Sequence, residues 1–125
     1  HTMGVVHRDL KPDNIMLTSP NLELCAAKVI DFGLSSVFSA GQAMVVSGMA
    51  GTMRYMAPEA ISRKPSGDPA DIWGIGVCAY QLLSLDLPFI APNVEQLEQE
   101  ICTAEPRFPA HKWANRTPEA ESFVR

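Results

Sequence analysis

Asp9, Lys11 and Asn14 stand within one short stretch, His7-Arg8-Asp9-Leu10-Lys11-Pro12-Asp13-Asn14, and Asp31-Phe32-Gly33 follows a little further on. A carboxylate, an ammonium group and two hard oxygen ligands at this spacing suit one kind of chemistry, the transfer of a phosphoryl group. That reaction asks a protein for positioning and charge neutralisation rather than for covalent work. Nucleotide phosphates travel with divalent cations, and magnesium prefers a carboxylate or amide oxygen completed by phosphate and water. Asp31, at the end of a β-friendly run, offers a carboxylate to a cation, and Gly33 permits the sharp turn behind it. Asn14 offers an amide oxygen to a second cation. Asp9 can accept the proton of an attacking hydroxyl, and Lys11, two residues on, can neutralise the migrating group.

Positioning those side chains requires a rigid frame. Ile15-Met16-Leu17 and Lys28-Val29-Ile30, separated by Thr18-Ser19-Pro20-Asn21, predict a small antiparallel hairpin with the Asp9 loop on one side and Asp31 on the other. The stretch from Ser35 to Thr52 lacks periodicity and carries Gly41, Gly48 and Gly51, which predicts a loop. It exceeds the ~12–15 residues usual for a structureless connection, so a functional segment is expected. Helices are predicted beyond it. Pro58 suits a first-turn position and opens a short helix through Ile61. Asp68 as N-cap with Pro69 behind it starts a helix running to Leu85, apolar nearly all round and therefore expected to be central and buried. Asn93 and Gln96 form a capping-box pattern ahead of the stripe Val94, Leu97 and Ile101. Thr117-Pro118 starts a last helix.

The 125 residues bound the chain to one domain at most. A composition 46% hydrophobic and 19% charged is that of a globular protein, and a net charge of −4 argues against nucleic acid and anionic membrane as partners. Cys25, Cys78 and Cys102 are odd in number and show no zinc spacing, which predicts reduced thiols and an intracellular, cytoplasmic location. The apolar stretch Ile72 to Tyr80 is too short for the ~20 residues of a membrane span.

His7-Arg8-Asp9 with Lys11 and Asn14, then Asp31-Phe32-Gly33, then Ala57-Pro58-Glu59, in that order, resemble the large lobe of a eukaryotic protein kinase over the whole chain. The resemblance implies the C-terminal lobe of the kinase-like fold, mainly α with a small antiparallel β-hairpin, as a partial domain over residues 1–125 that is incomplete at both ends. It also implies ATP and Mg2+ as cofactors and a protein substrate. By that pattern Asp9 is the catalytic base or orienter, Asn14 and Asp31 hold magnesium, Lys11 contacts the γ-phosphate, and Thr52 bonds toward Asp9 and Lys11. Met16 would touch adenine, His7 and Phe32 would stack in an internal spine, and Asp71 would hold the backbone of the Asp9 loop. Lys11 and Gly51-Thr52 match the serine/threonine version. Trp113, Thr117-Pro118-Glu119-Ala120 and Phe123-Val124 resemble the calcium/calmodulin-dependent and calcium-dependent group. Asp13 suits the reading of a substrate arginine, so basic residues near the phosphosite are expected.

Arg8 raises the question of a regulatory phosphate. An arginine before such an aspartate often pairs with a phosphate on the following segment, and Ser47 is the candidate acceptor, ahead of Ser39 and Thr52. Glu59 would ordinarily pair with an arginine lying beyond the last helix, and Leu85 and Leu87 stand where the family commonly has glycine and proline. The glycine-rich loop and strand lysine that grip nucleotide from above do not occur among these residues, so the isolated polypeptide is expected to be inactive and to need a kinase N-lobe as partner. Blander readings stand beside these. His1 and His111 read as surface residues, Trp73 as core, Met44, Met49, Met53 and Met56 as packing, and Glu95, Glu98 and Glu100 as a solvated helix face. The rival function is a non-catalytic, pseudokinase-like scaffold or truncated interaction module; a small-molecule phosphotransferase is disfavoured by Lys11 and the segment from Gly51 to Glu59.

Overall fold

The structure, a computed structural model, describes residues 1–38 and 51–125. Ser47, Ser39, Met44 and Met49 lie outside the described residues. Among the described residues, two small antiparallel sheets precede five α-helices. Strands β2 (Ile15–Leu17) and β3 (Ala27–Val29) form the expected hairpin, with Ile15 opposite Val29, Met16 opposite Lys28 and Leu17 opposite Ala27. A 3-10 turn over Pro12–Asn14 leads into β2, with proline at its start, where no backbone N–H is needed. The second sheet was not visible as a pattern. Strand β1 (Val5–Val6) pairs with β4 (Ser36–Val37), so the segment expected to be a loop from Ser35 opens with a strand. Two residues give no periodicity to read; the pairing is set by the partner strand.

The helices sit close to the expected positions. Helix α1 spans Pro58–Ile61 and α3 spans Val94–Thr103, where Asn93 accepts from the Gln96 N–H at 2.9 Å. Helix α5 (Pro118–Val124) is capped by the Thr117 hydroxyl, and a short α4 (Ala110–Trp113) was not anticipated. Helix α2 spans Asp68–Ser84, one residue earlier than its cap reading implied. Gly67 is the N-cap, and Asp68 lies inside the first turn, where its charge and that of Asp71 complement the helix dipole.

The described elements cover α2 on one side only. Asp71, Gly74, Val77, Cys78, Tyr80 and Ser84 are buried, whereas Ile72 and Leu82 are exposed, so the helix is not buried on every face as its composition suggested. One core cluster joins α1 and α3 through Met56, Ile61, Phe89, Leu97 and Ile101, with Met53 and Trp73 packed against it. Trp73 stacks on Phe89 with planes 7° apart. A second aromatic group of Tyr80, Phe108 and Trp113 anchors α4 against α2. Val94, expected in the apolar stripe of α3, is exposed, and only Leu97 and Ile101 of that stripe reach the core. Among the described residues no helix is long and apolar enough to cross a membrane.

Candidate active site

The loop between β1 and the Pro12–Asn14 turn is held from below by α2. Asp71, 3% exposed, accepts the backbone N–H of His7 at 2.8 Å on one carboxylate oxygen and that of Arg8 at 2.9 Å on the other. A buried carboxylate that takes two N–H groups is satisfied, and it fixes the direction in which the next residue leaves. Arg8 has φ 72, a conformation that side-chain-bearing residues adopt at a cost and that the Asp71 clamp holds in place. His1 is exposed, as expected, yet its Nε2 lies 2.9 Å from the Asp71 oxygen that accepts the His7 N–H. Nothing local to His1 in the sequence signals that role.

Asp9 is the centre of the site. Its Oδ1 accepts the Thr52 backbone N–H at 2.8 Å, and its Oδ2 accepts from Lys11 Nζ at 2.8 Å. Lys11 Nζ also donates to Thr52 Oγ1 at 2.8 Å, closing a triangle of three residues. Thr52 can come this close because Gly51 precedes it at φ 108. A Cβ on Gly51 would lie 2.5 Å from the Arg8 carbonyl oxygen and 3.3 Å from Asp9 Oδ1, so only glycine fits. Asn14, 6% exposed, turns its amide nitrogen to the Asp9 carbonyl at 2.8 Å and to Asp9 Oδ2 at 3.2 Å. Its oxygen takes no hydrogen bond among the described residues.

Burial by itself would raise the Asp9 carboxyl. The Lys11 hydrogen bond, the Thr52 N–H and hydroxyl, and the Lys11 charge together outweigh it and hold Asp9 below the usual carboxylate range. Lys11 is pushed up, first by its hydrogen bond to Asp9, against a smaller opposing effect of burial, and then by the charges of Asp9, Asp13 and Asp31. The pair is therefore ionised on both sides.

Asp31 reaches this region from the other side of the hairpin. Its backbone has φ 59, and its Oδ1 accepts the Gly33 N–H at 3.1 Å, the turn expected of Asp-Phe-Gly. The Ile30 N–H donates to the Asn14 carbonyl at 2.9 Å, which ties the two loops together, and Asp31 is near enough to raise Lys11 by its charge. Carboxylate and amide oxygens of this kind fit a hard divalent cation. His7 meets Phe32 edge-on with ring centroids 4.9 Å apart, and its Nε2 lies 3.0 Å from the Ile30 carbonyl oxygen. Phe32 is nevertheless 57% exposed, so the stack is internal only on its His7 side. Met16 is exposed on the hairpin, beside Leu17 and Val29.

Arg8 sends Nη1 to Ser36 Oγ at 3.0 Å, and no carboxylate pairs with it among the described residues. Ser36 was not singled out from the sequence. Glu59 is half-buried and likewise has no ion pair among the described residues.

A hairpin that brings Asp9, Lys11, Asn14 and Asp31 to one edge of a helical body, with Asp71 clamping the loop, is the large-lobe architecture of phosphoryl-transfer proteins of the kinase type. The family model for the protein kinase domain matches residues 1–125, and the chain belongs to that family. It is 37% identical over 125 residues to the protein named "Probable myosin light chain kinase" from Dictyostelium discoideum, covering 100% of this chain and 35% of that protein. The chain thus spans about a third of the length of that curated relative.

Proposed function

We propose that this chain is the catalytic lobe of a serine/threonine protein kinase, which transfers the γ-phosphoryl group of magnesium-bound ATP to a protein hydroxyl. The observation that carries the reading is the Asp9–Lys11–Thr52 triangle beside Asn14. A depressed carboxylate held on Oδ1 by an N–H and on Oδ2 by an ammonium group is pre-oriented, so it can receive a substrate hydroxyl without reorganising. Proton acceptance of this kind contributes about 10²–10⁴-fold. The chemistry supplied by Mg2+ when bound is neutralisation of the charge on the phosphates. Asn14 and Asp31 would hold it, and Lys11, already ionised, would meet the γ-phosphate.

Lys11 bonded to Thr52 favours the serine/threonine class, since that pair is the feature by which this loop resembles it. Asp13 lies exposed in the turn next to Lys11 and supports a substrate with basic residues near its phosphosite. The Dictyostelium relative's name makes a myosin light chain one candidate substrate, and the calcium/calmodulin-dependent group is the subfamily that the C-terminal motifs favour. Ser47 is the proposed acceptor of a regulatory phosphate paired with Arg8, ahead of Ser39; Thr52 is the weakest of the three because its hydroxyl and N–H are both engaged. An intracellular location accords with the unpaired cysteines. Residues 1–125 by themselves carry no glycine-rich phosphate loop and are proposed to need a kinase N-lobe for activity. The rival, a non-catalytic scaffold, is disfavoured because Asp9, Lys11, Asn14 and Asp31 are all retained in the sequence.

The test is phosphotransfer by the full-length protein from magnesium ATP to a library of basic serine, threonine and tyrosine peptides. Phosphoserine or phosphothreonine product is expected. Phosphotyrosine alone, or no transfer with intact protein, would overturn the reading.

A further inference from the structure

We infer that Ser36 is a positioning residue for the metal-facing turn at Asp31, acting through Arg8. This rests on the proposed phosphoryl-transfer site and adds to it a residue that no motif contains. The sheet that carries both sides of the site is minimal. Strands β1 and β4 contribute two residues each, with Val5 opposite Val37 and Val6 opposite Ser36. A two-stranded pairing this short is not stable unaided, so whatever fixes it must lie outside the ladder. Phe38 N–H donates to the Gly4 carbonyl at 2.7 Å at one end. At the other, Ser35 Oγ reaches the His7 carbonyl at 3.5 Å, and Ser36 Oγ accepts from Arg8 Nη1 at 3.0 Å.

The Arg8 contact is the strongest of these by chemistry, because its donor is charged and no carboxylate competes for it among the described residues. Arg8 is also held at both its backbone and its side chain. Its backbone N–H is fixed by Asp71 of α2, its φ of 72 sets where its side chain leaves, and its guanidinium ends on β4. Ser36 follows Asp31 by five residues with only the Gly33 turn between. The Arg8–Ser36 bond therefore links the rigid helix to the strand that sets the height of Asp31 relative to Asp9. Removing the hydroxyl deletes no hydrogen bond of Asp9 and loosens the β1–β4 pairing that carries the Asp31 side.

The experiment compares wild-type full-length protein with Ser36→Ala, Ser36→Val and Ser36→Thr. Hydrogen exchange is read in peptides covering residues 4–9 and 30–38, and Mn2+ affinity in the presence of ATP is read by water-proton relaxation. Alanine and valine are expected to speed exchange in those two peptides about tenfold, the scale of one lost charge-assisted hydrogen bond. They should weaken Mn2+ binding at least about threefold while changing kcat less. Threonine, which keeps the hydroxyl and suits a strand, is expected to restore both readouts, whereas isosteric valine is not. Unchanged exchange in alanine and valine overturns the inference. So does faster exchange with unaltered Mn2+ affinity, or faster exchange spread equally over α3, which would make Ser36 merely structural. Wild-type protein that binds Mn2+ with ATP but phosphorylates nothing sinks the kinase reading alone, because the exchange and metal comparisons still decide the role of Ser36.

Discussion

The Thr52 backbone N–H donates to Asp9 Oδ1 at 2.8 Å across a sequence separation of 43 residues. This bond makes the segment that ends in Ala57-Pro58-Glu59 part of the candidate site rather than a flap beside it. It exists because Gly51 lets the backbone pass within contact of the Arg8 carbonyl. Gly51→Ala must therefore push Thr52 away from Asp9. The expected cost is about 1–3 kcal/mol of stability, together with a loss of phosphotransfer that exceeds what the fraction folded explains. Thermal melts paired with kcat measurements on full-length protein check this; an alanine variant with wild-type kcat would show that the Thr52 contact is dispensable.

The Asp9–Lys11 pair has a defined pH window. Asp9 is lowered in the folded protein, so its contribution to stability is present above the ordinary carboxylate value and is lost as pH falls through the lowered one. Lys11 is raised, so its contribution is complete below the ordinary lysine value and is lost as pH rises through the raised one. Between about pH 4 and pH 10 neither group changes charge. Stability and kcat of full-length protein should accordingly show no limb from this pair across that range. A limb that shifts when Lys11 is replaced by methionine would contradict the assignment.

Much of this site was legible because its chemistry is local. Asp9, Lys11 and Asn14 lie on one short loop, the hairpin β2–β3 is bounded by a clear breaker, and Asn93 and Thr117 mark their helices by cap chemistry. What escaped depends on distant partners. Ser36 and Val37 are too few to show alternation and become a strand only because Val5 and Val6 lie opposite. His1 gains meaning only from Asp71, far along the chain. The apolar wrap of α2 suggested full burial, but a composition states which faces could be buried and not which neighbours cover them; Ile72 and Leu82 remain exposed.

Leu85 ends α2 with φ 59 while 84% exposed, its N–H bonded to the Gln81 carbonyl at 2.8 Å. A leucine pays for the left-handed conformation and recovers nothing by packing there, whereas glycine adopts it freely. Leu85→Gly should stabilise full-length protein by about 1 kcal/mol, read as a raised denaturant midpoint with unchanged slope. A lowered midpoint would mean that the Leu85 side chain holds contacts of its own.

The thiols of Cys78 and Cys102 should separate by reactivity. Cys78 is 4% exposed on α2, and burial pushes it up to about 11, so its thiolate is scarce at neutral pH. Cys102 is exposed on α3. Maleimide at neutral pH should label Cys102 in native protein and reach Cys78 only on unfolding, as peptide mapping would show. Native labelling of Cys78 ahead of Cys102 would contradict the packing of α2.

The central claim is that Asp9 receives the substrate proton in a phosphoryl transfer. Its most direct measurement is single-turnover phosphotransfer from magnesium ATP to a serine peptide by full-length wild-type protein and Asp9→Asn, with nucleotide affinity measured in parallel. Asparagine preserves the size and the contact to Thr52 but cannot take a proton, so the rate should fall about 10²–10⁴-fold with ATP affinity little changed. A variant that transfers phosphate at the wild-type rate would contradict the account.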